Sequence, residues 1–166
     1  MGRILNENQI GKINKELKNK DKKIVLTGGC FDLIHIGHTR LLQNSKKKGD
    51  ILVVLLESDE SVKKLKGNKR PINNQAERAE VLASFKSVDY IVKMQKVASD
   101  KNYDKLITRM RPYVIAVTYG DPAIKHKRKQ AFSVGAKIAF VLKPIKHKST
   151  SKLAKLGDLL WNIKRF

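Results

Sequence analysis

The chain has 166 residues, of which 41% are hydrophobic and 31% are charged, a composition typical of a folded globular protein and not of a disordered chain. This length predicts one domain, spanning residues 1–166. Its single cysteine excludes an intramolecular disulfide and a cysteine-based zinc knuckle. No apolar run is long enough to cross a bilayer or to form a signal-peptide core, so we expect a cytoplasmic protein with no membrane partner.

The charge of the chain is unusual, because 36 Lys and Arg residues against 15 Asp and Glu residues give a net charge of +21. Such a field attracts polyanions, including nucleic acids and phosphorylated metabolites. The lysines are spread along nearly the whole chain, and no basic–aromatic repeat forms a platform on which bases could stack. A lysine-rich solvated surface is therefore the favoured interpretation, and a nucleic-acid partner is the less favoured alternative.

The predicted elements begin with a helix and continue as strands that alternate with helices. Ile10, Ile13 and Leu17 have helical spacing, which predicts an amphipathic helix at the start of the chain, within residues 1–20. Five apolar runs predict strands: KKIVLTGG, DILVVLLES, VDYIVKM, PYVIAVTYGD and AKIAFVLK. Helical stretches with capping residues at their ends separate these strands, and STSKLAKLGDLLWNIK predicts a last helix.

This alternation predicts an α/β fold, a Rossmann-like three-layer α/β/α domain with a five-stranded parallel sheet. Ligands of such sheets bind beyond the carboxyl ends of the strands, near the point where the strand order reverses. We therefore expect the functional site at the ends of the first and fourth predicted strands. These ends carry the segments TGGCFDLIHIGH and TYGD.

The segment TGGCFDLIHIGH has the features of a phosphate-binding turn. His35 and His38 are three residues apart at the start of a predicted helix, so a helical turn would put both imidazoles on one side. Gly28 and Gly29 allow a ligand to approach the backbone closely. The helix start adds unpaired N–H donors and the positive end of the helix dipole. Together these features predict a cradle for a polyphosphate.

Other interpretations of the two histidines have less support. A zinc site would need more ligands, but Asp32 is the only carboxylate nearby, and His126 and His147 lie far downstream in lysine-rich stretches. The dinucleotide fingerprint G-x-G-x-x-G is absent. A purely structural role for both histidines is the less favoured alternative, because a glycine pair adjoins them at a strand end.

The same segment matches the pattern G-x-F-D-x-x-H-x-G-H, and the chain resembles the HIGH-type nucleotidylyltransferases of the cytidylyltransferase-like superfamily. A second signature of that superfamily, S-T-[ST]-[KR], is present as STSK at residues 149–152. The resemblance covers nearly the whole chain. The segment RPINNQAERAEVLASFKSVDYIV and the GD after the fourth strand are most similar to the heptose-1-phosphate adenylyltransferase branch, with the glycerol-3-phosphate cytidylyltransferase branch next.

The resemblance implies that a phosphate oxygen of an acceptor attacks the α-phosphorus of a nucleoside triphosphate and that pyrophosphate leaves. ATP with a sugar phosphate is the favoured pair, and CTP with glycerol 3-phosphate is the alternative. The acceptor phosphate is already anionic, so no general base is required, and catalysis rests on positioning and charge stabilisation. Mg²⁺ is the expected cofactor, held mainly by the triphosphate and with no metal site built from protein ligands. A homodimer is also expected.

The resemblance further implies roles for individual residues. The implied catalytic residues are His35, His38, Lys64 and Lys66. The implied nucleotide-binding residues are Thr27, Gly29, Cys30, Phe31, Asp32, Gly120, Asp121, Ser149, Thr150 and Ser151. Arg78 is implied to contact the acceptor or its phosphate. Several of these residues have a simpler alternative role: a solvated surface charge for Lys64, Lys66 and Arg78, a turn or cap for Asp32, and N-capping for the Ser/Thr cluster.

Overall fold

The computed structural model describes residues 1–11, 21–95, 99–143 and 145. The strands are β1 (Arg3–Asn6), β2 (Ile24–Gly29), β3 (Ile51–Leu56), β4 (Tyr90–Lys93), β5 (Val114–Thr118) and β6 (Lys137–Leu142). The helices are α1 (Ile36–Lys46), α2 (Asp59–Lys66), α3 (Gln75–Ala83), α4 (Asp100–Met110) and α5 (Ile124–Val134). The predicted last helix lies outside the described residues. No helix in these described ranges is both long and apolar enough to span a lipid bilayer.

All six strands pair in parallel, in the order β1-β4-β3-β2-β5-β6. From β2 the chain moves outward through β3 and β4, and it then crosses to the other side of β2 to form β5 and β6. The order therefore reverses between β2 and β5, whose carboxyl ends lie side by side. This arrangement confirms the predicted parallel α/β fold.

The apolar core has two halves, one on each face of the sheet. Alternate residues of a strand point to opposite faces. Accordingly, Leu26 packs in a cluster with Leu106 and Met110 of α4, whereas Val25 packs in the other cluster with Leu42 of α1 and Leu82 of α3. Helices therefore cover both faces, which explains why β3 is an almost continuous run of buried aliphatic residues.

The sheet has one more strand than predicted, because residues 3–6 form β1 where a helix was expected. This part of the helix prediction within residues 1–20 was wrong. Backbone pairing with Tyr90–Lys93 outweighs the helical spacing, and it buries the Leu5 side chain. Gly2 permits the close approach, since a Cβ atom there would lie 2.9 Å from the Val88 carbonyl oxygen. Ile10 is buried as the apolar pattern indicates, whereas residues 12–20 lie outside the described ranges.

Candidate active site

The turn between β2 and α1 brings the two histidines together. His35 is the N-cap of α1, and its Nδ1 atom accepts a hydrogen bond of 3.1 Å from the Gly37 main-chain N–H. The rings of His35 and His38 stack with centroids 4.0 Å apart and an interplanar angle of 27°. A Cβ atom at position 37 would lie 2.9 Å from His35 Cε1, so the glycine makes room for this ring position. The structure thus places both imidazoles on the same side of the turn.

Both histidines are neutral at neutral pH. Burial lowers the pKa of His35. Burial, together with the neighbouring His35, lowers the pKa of His38 to about 4, although the main chain of Leu33 opposes this shift. Because Nδ1 of His35 accepts a hydrogen bond, the proton of this neutral ring is on Nε2. The ring therefore offers an N–H donor to an anion without carrying a fixed positive charge.

Asp32 joins the histidine turn to the loop that precedes α3. Its buried carboxylate accepts hydrogen bonds from the main-chain N–H groups of Ile72 (2.9 Å) and Asn73 (3.0 Å), and from Nε of Arg70 at 2.5 Å. Burial alone would raise the pKa of this carboxyl, but the hydrogen bonds from Asn73, Ile72 and Arg70 lower it. Asp32 therefore stays ionised and holds two loops together. A contact between Asp32 and a nucleotide stays a prediction.

Arg78 is almost fully buried, with an exposed fraction of 1%. Its guanidinium donates hydrogen bonds to three main-chain carbonyls, those of Asn73 (3.0 Å), Cys30 (2.5 Å) and Glu57 (2.9 Å), and it forms an ion pair with Asp59. These contacts connect the ends of β2 and β3 to the start of α3. The structure therefore gives Arg78 a positioning role, and it is not among the residues that line the cleft; its predicted contact with a substrate stays a prediction.

Two cavities meet at the histidines. The larger one, of about 570 Å³, extends from this turn over α4 and α5, and we call it the polar pocket. The smaller one, of about 400 Å³, extends over Leu41, Leu142 and Ile145, and we call it the apolar pocket. The residues that line both pockets are Gly28, Gly29, Cys30, Phe31, His35, His38 and Thr118. The imidazole pair therefore lies where two ligands could meet.

Most of the predicted site residues that the structure describes line these pockets. They are Gly29, Cys30, Phe31, Asp32, His35, His38, Lys66 and Asp121. Thr27 does not line them, because its side chain is buried in the sheet and donates a hydrogen bond of 3.2 Å to the Ala116 carbonyl. Lys64 and Gly120 are also outside the linings, although their neighbours Lys66 and Asp121 are within them. Ser149, Thr150 and Ser151 lie outside the described residues.

Cys30 is a lining residue that is poorly suited to act as a nucleophile. Burial and the nearby carboxylate of Glu57 raise the pKa of its thiol, while the cations Lys66, Arg78 and Arg70 oppose that shift. A thiol with a raised pKa stays protonated at neutral pH and is a weak nucleophile.

Several lining residues were not predicted from the sequence. Among them are Glu57, Arg70, Tyr103, His126, Lys127 and Gln130. Glu57 follows the carboxyl end of β3, so the rule that ligands bind at this sheet edge could have identified it. Tyr103, His126 and Gln130 are on α4 and α5, and only helix packing brings them to the cleft. In the described part of the chain, no group of three or more His, Cys, Asp and Glu side chains could hold a metal ion.

A parallel α/β sheet with a glycine–histidine turn at its switch point is typical of nucleotide-binding domains, among them the nucleotidyltransferases. A family model described as cytidylyltransferase-like matches residues 26–155 of this chain. Because this match covers more than half of the chain, the chain belongs to the cytidylyltransferase-like family. The prediction of a nucleotidyltransferase enzyme made from the HIGH-type motif is thereby confirmed.

Curated relatives share substantial sequence identity with part of the chain. The bifunctional protein HldE of Aliarcobacter butzleri (strain RM4018) is 46% identical over 107 residues, which cover 64% of this chain and 22% of that protein. The bifunctional protein HldE of Wolinella succinogenes is 45% identical over 113 residues, covering 68% of this chain and 23% of that protein. The matching region thus spans less than a quarter of the length of these relatives.

Solved structures with low sequence identity share the fold. The lipopolysaccharide core biosynthesis protein from Thermoplasma volcanium GSS1 is 23% identical, with a TM-score of 0.60 over 76% of this chain and 99% of that chain. Pantoate-beta-alanine ligase from Francisella tularensis is 15% identical, with a TM-score of 0.70 over 100% of this chain and 80% of that chain. At these identities the likeness extends to the fold alone.

Proposed function

We propose that the protein transfers the nucleotidyl group of a nucleoside triphosphate, with ATP favoured, to a phosphorylated sugar or polyol and releases pyrophosphate. The observation that carries this proposal is the stacked pair His35 and His38, which lines two adjoining pockets that differ in the residues they do not share. A transfer between two substrates needs two binding pockets that meet at the reacting atom. The apolar pocket suits a nucleobase, and the polar pocket suits the acceptor.

In the proposed reaction, the two imidazoles stabilise charge at the α-phosphorus. An acceptor phosphate oxygen attacks this phosphorus while the bond to the pyrophosphate oxygen breaks, and negative charge grows on the surrounding oxygens. The Nε2–H of His35 and the ring of His38 can donate hydrogen bonds to these oxygens at the start of α1, where the helix dipole also favours an anion. A bound anion would raise the pKa of both rings and strengthen these bonds.

Mg²⁺ fits this site as a companion of the triphosphate. The carboxylates of Asp32 and Asp121 are already paired with Arg70 and Lys127, so phosphate oxygens would be the main ligands of the ion. Within the described lining, Lys66 is a cation without an ion-pair partner. A triphosphate carries several negative charges, and Mg²⁺ would add positive charge beside it.

The segment RPINNQAERAEVLASFKSVDYIV supports ATP and a sugar 1-phosphate, because it is most similar to the heptose-1-phosphate adenylyltransferase branch. CTP with glycerol 3-phosphate is the second candidate, since the chain has Tyr119 where the heptose branch often has a glycine.

The expected homodimer and cytoplasmic location stay predictions, and analytical ultracentrifugation would test the first of them.

A pyrophosphate-release assay tests the proposal. The protein is incubated with Mg²⁺, each of the four common nucleoside triphosphates, and a panel of hexose, heptose and glycerol phosphates, with acceptor-free reactions as the control for simple hydrolysis. We expect release that depends on the acceptor and is fastest with ATP and a sugar 1-phosphate. Release with CTP and glycerol 3-phosphate alone would favour the second candidate. No release with any pair, together with salt-sensitive binding of RNA or DNA, would favour the nucleic-acid-binding alternative.

A further inference from the structure

The polar pocket contains a carboxylate and a phenol that none of the proposed phosphate chemistry uses. Glu57 lies at the carboxyl end of β3, and Tyr103 is in the first half of α4. The Tyr103 hydroxyl donates a hydrogen bond to Oε1 of Glu57. Burial and this neighbouring carboxylate raise the pKa of Tyr103 above its usual value, so the phenol keeps its proton and acts as the donor in this hydrogen bond.

Glu57 is held at a fixed place relative to the histidine turn. Its main-chain N–H donates a hydrogen bond of 3.2 Å to the Gly29 carbonyl, and its own carbonyl accepts one of 2.9 Å from Arg78. Cys30, Glu57 and Tyr103 all line the polar pocket. A ligand group bound to Glu57 would therefore lie at a defined distance from the phosphate cradle.

The Glu57 carboxylate can still accept hydrogen bonds from a ligand. Tyr103 is bonded to Oε1, and no hydrogen bond to Oε2 is present in the described part of the chain. A carboxylate has about four acceptor positions on its two oxygens. A half-buried carboxylate with open acceptor positions that faces a cavity is suited to hydroxyl groups, which donate hydrogen bonds without adding charge.

Side chains of α5 in the polar pocket are also polar. His126 and Gln130 of α5 both bond Oδ1 of Asp104, at 3.1 Å and 2.8 Å, so their side chains are fixed at the pocket wall. The nearby cation Lys127 is paired with Asp121. This end of the pocket therefore combines carboxylate, imidazole and amide groups, a chemistry that suits hydroxyl groups better than a phosphate.

We infer that Glu57 and Tyr103, with His126 and Gln130, bind the hydroxyl groups of the acceptor and so select a polyhydroxylated phosphate over one with an apolar or acidic tail. This inference rests on the proposed function, and it names the acceptor subsite of the same reaction. An apolar tail would cover the open acceptor positions of Glu57 without filling them, and an acidic tail would be repelled by this carboxylate. Glu57 and Tyr103 are thus specificity-determining residues rather than participants in the transfer.

Matched acceptors and matched variants test this inference. The acceptor pairs are glycerol 3-phosphate with propyl phosphate, and a hexose 1-phosphate with cyclohexyl phosphate, because each pair differs mainly in hydroxyl groups. The wild-type protein should prefer the hydroxylated member in kcat/KM, and Glu57→Gln should reduce that preference by roughly tenfold, the usual value of hydrogen bonds to a charged group. Glu60→Gln, an exposed position in α2, is the control and should keep the wild-type preference. The KM for ATP should be the same in all three proteins.

Tyr103→Phe is a second variant, for use if Glu57→Gln does not fold as judged by circular dichroism. It should reduce the preference by roughly threefold, because it removes a neutral hydroxyl. An unchanged preference in variants that still release pyrophosphate would overturn the inference and leave the proposed function standing. A raised KM for ATP with an intact preference would also overturn it, because Glu57 would then belong to the nucleotide. If the wild-type protein releases no pyrophosphate with any phosphate acceptor, the proposed function fails, and the inference fails with it.

Discussion

At the scale of single residues, the burial of His38 makes the stability of the protein depend on pH. An ordinary histidine titrates near pH 6.5, whereas burial and the adjacent His35 ring lower the pKa of His38 to about 4. The unfolded chain therefore binds a proton at this position more readily than the folded protein does between these two values. It follows that this residue reduces the free energy of unfolding as the pH falls from 6.5 towards 4.

We predict that His38→Asn weakens this pH dependence. Across that pH window, the free energy of unfolding of the wild-type protein should fall by up to about 3 kcal/mol more than that of the variant. Urea denaturation of both proteins at pH 7 and pH 4.5 measures the difference. Parallel pH profiles for the two proteins would show that His38 titrates normally in the folded state.

The residues of the site differ in how far the sequence predicts them. The spacing of His35 and His38 was sufficient to predict that their rings lie together, because a strand end followed by a helix start fixes the position of both side chains. The spacing could not predict that Arg78 is buried among main-chain carbonyls, since an arginine between two glutamates is more typical of a surface. Nor could it predict Tyr103, whose place in the cleft depends on how α4 packs.

At the scale of elements, the start of α1 depends on a glycine next to the His35 cap. Gly37→Ala would put a Cβ atom 2.9 Å from His35 Cε1 and so displace that ring, although alanine itself favours a helix. We predict that kcat of the proposed transfer falls by roughly tenfold or more, while the melting temperature changes little.

Gly11→Ala is the control for that substitution, because a Cβ atom there would have no heavy atom within 4 Å. It should leave the pyrophosphate-release rate at the wild-type value. Full activity of Gly37→Ala would mean that the position of the His35 ring is unimportant for the reaction.

The edge strand β1 provides a second test at this scale. Leu5 is 7% exposed and packs in the core, whereas Ile4 on the opposite face of the strand is 40% exposed. We predict that Leu5→Ala lowers the free energy of unfolding by about 2–4 kcal/mol, and that Ile4→Ala lowers it by less than about 1 kcal/mol. Equal effects in urea denaturation would indicate that residues 3–6 do not form a strand in which Leu5 points to the core and Ile4 to the solvent.

At the scale of the whole molecule, the alternation of apolar runs was enough to predict the layers, the parallel sheet and the sheet edge at which the two cavities lie. β1 was not predicted because its partner β4 lies far along the chain, and the spacing of nearby residues does not indicate which distant segments pair. The net charge of +21 did not predict the charge of the cleft. In the described cleft, most cations are paired with carboxylates, so the site is less positive than the composition suggests.

The central claim is that a phosphate oxygen of the acceptor attacks the α-phosphorus of a nucleoside triphosphate at the His35–His38 end of the cleft. The most direct measurement follows phosphorus labels in parallel reactions with α-labelled and γ-labelled ATP, Mg²⁺ and a sugar 1-phosphate. We predict that the α label appears in the nucleotide–sugar product and the γ label in pyrophosphate, and that His38→Ala greatly slows both. Transfer of the γ label to the acceptor, with the α label left in ADP, would contradict the claim.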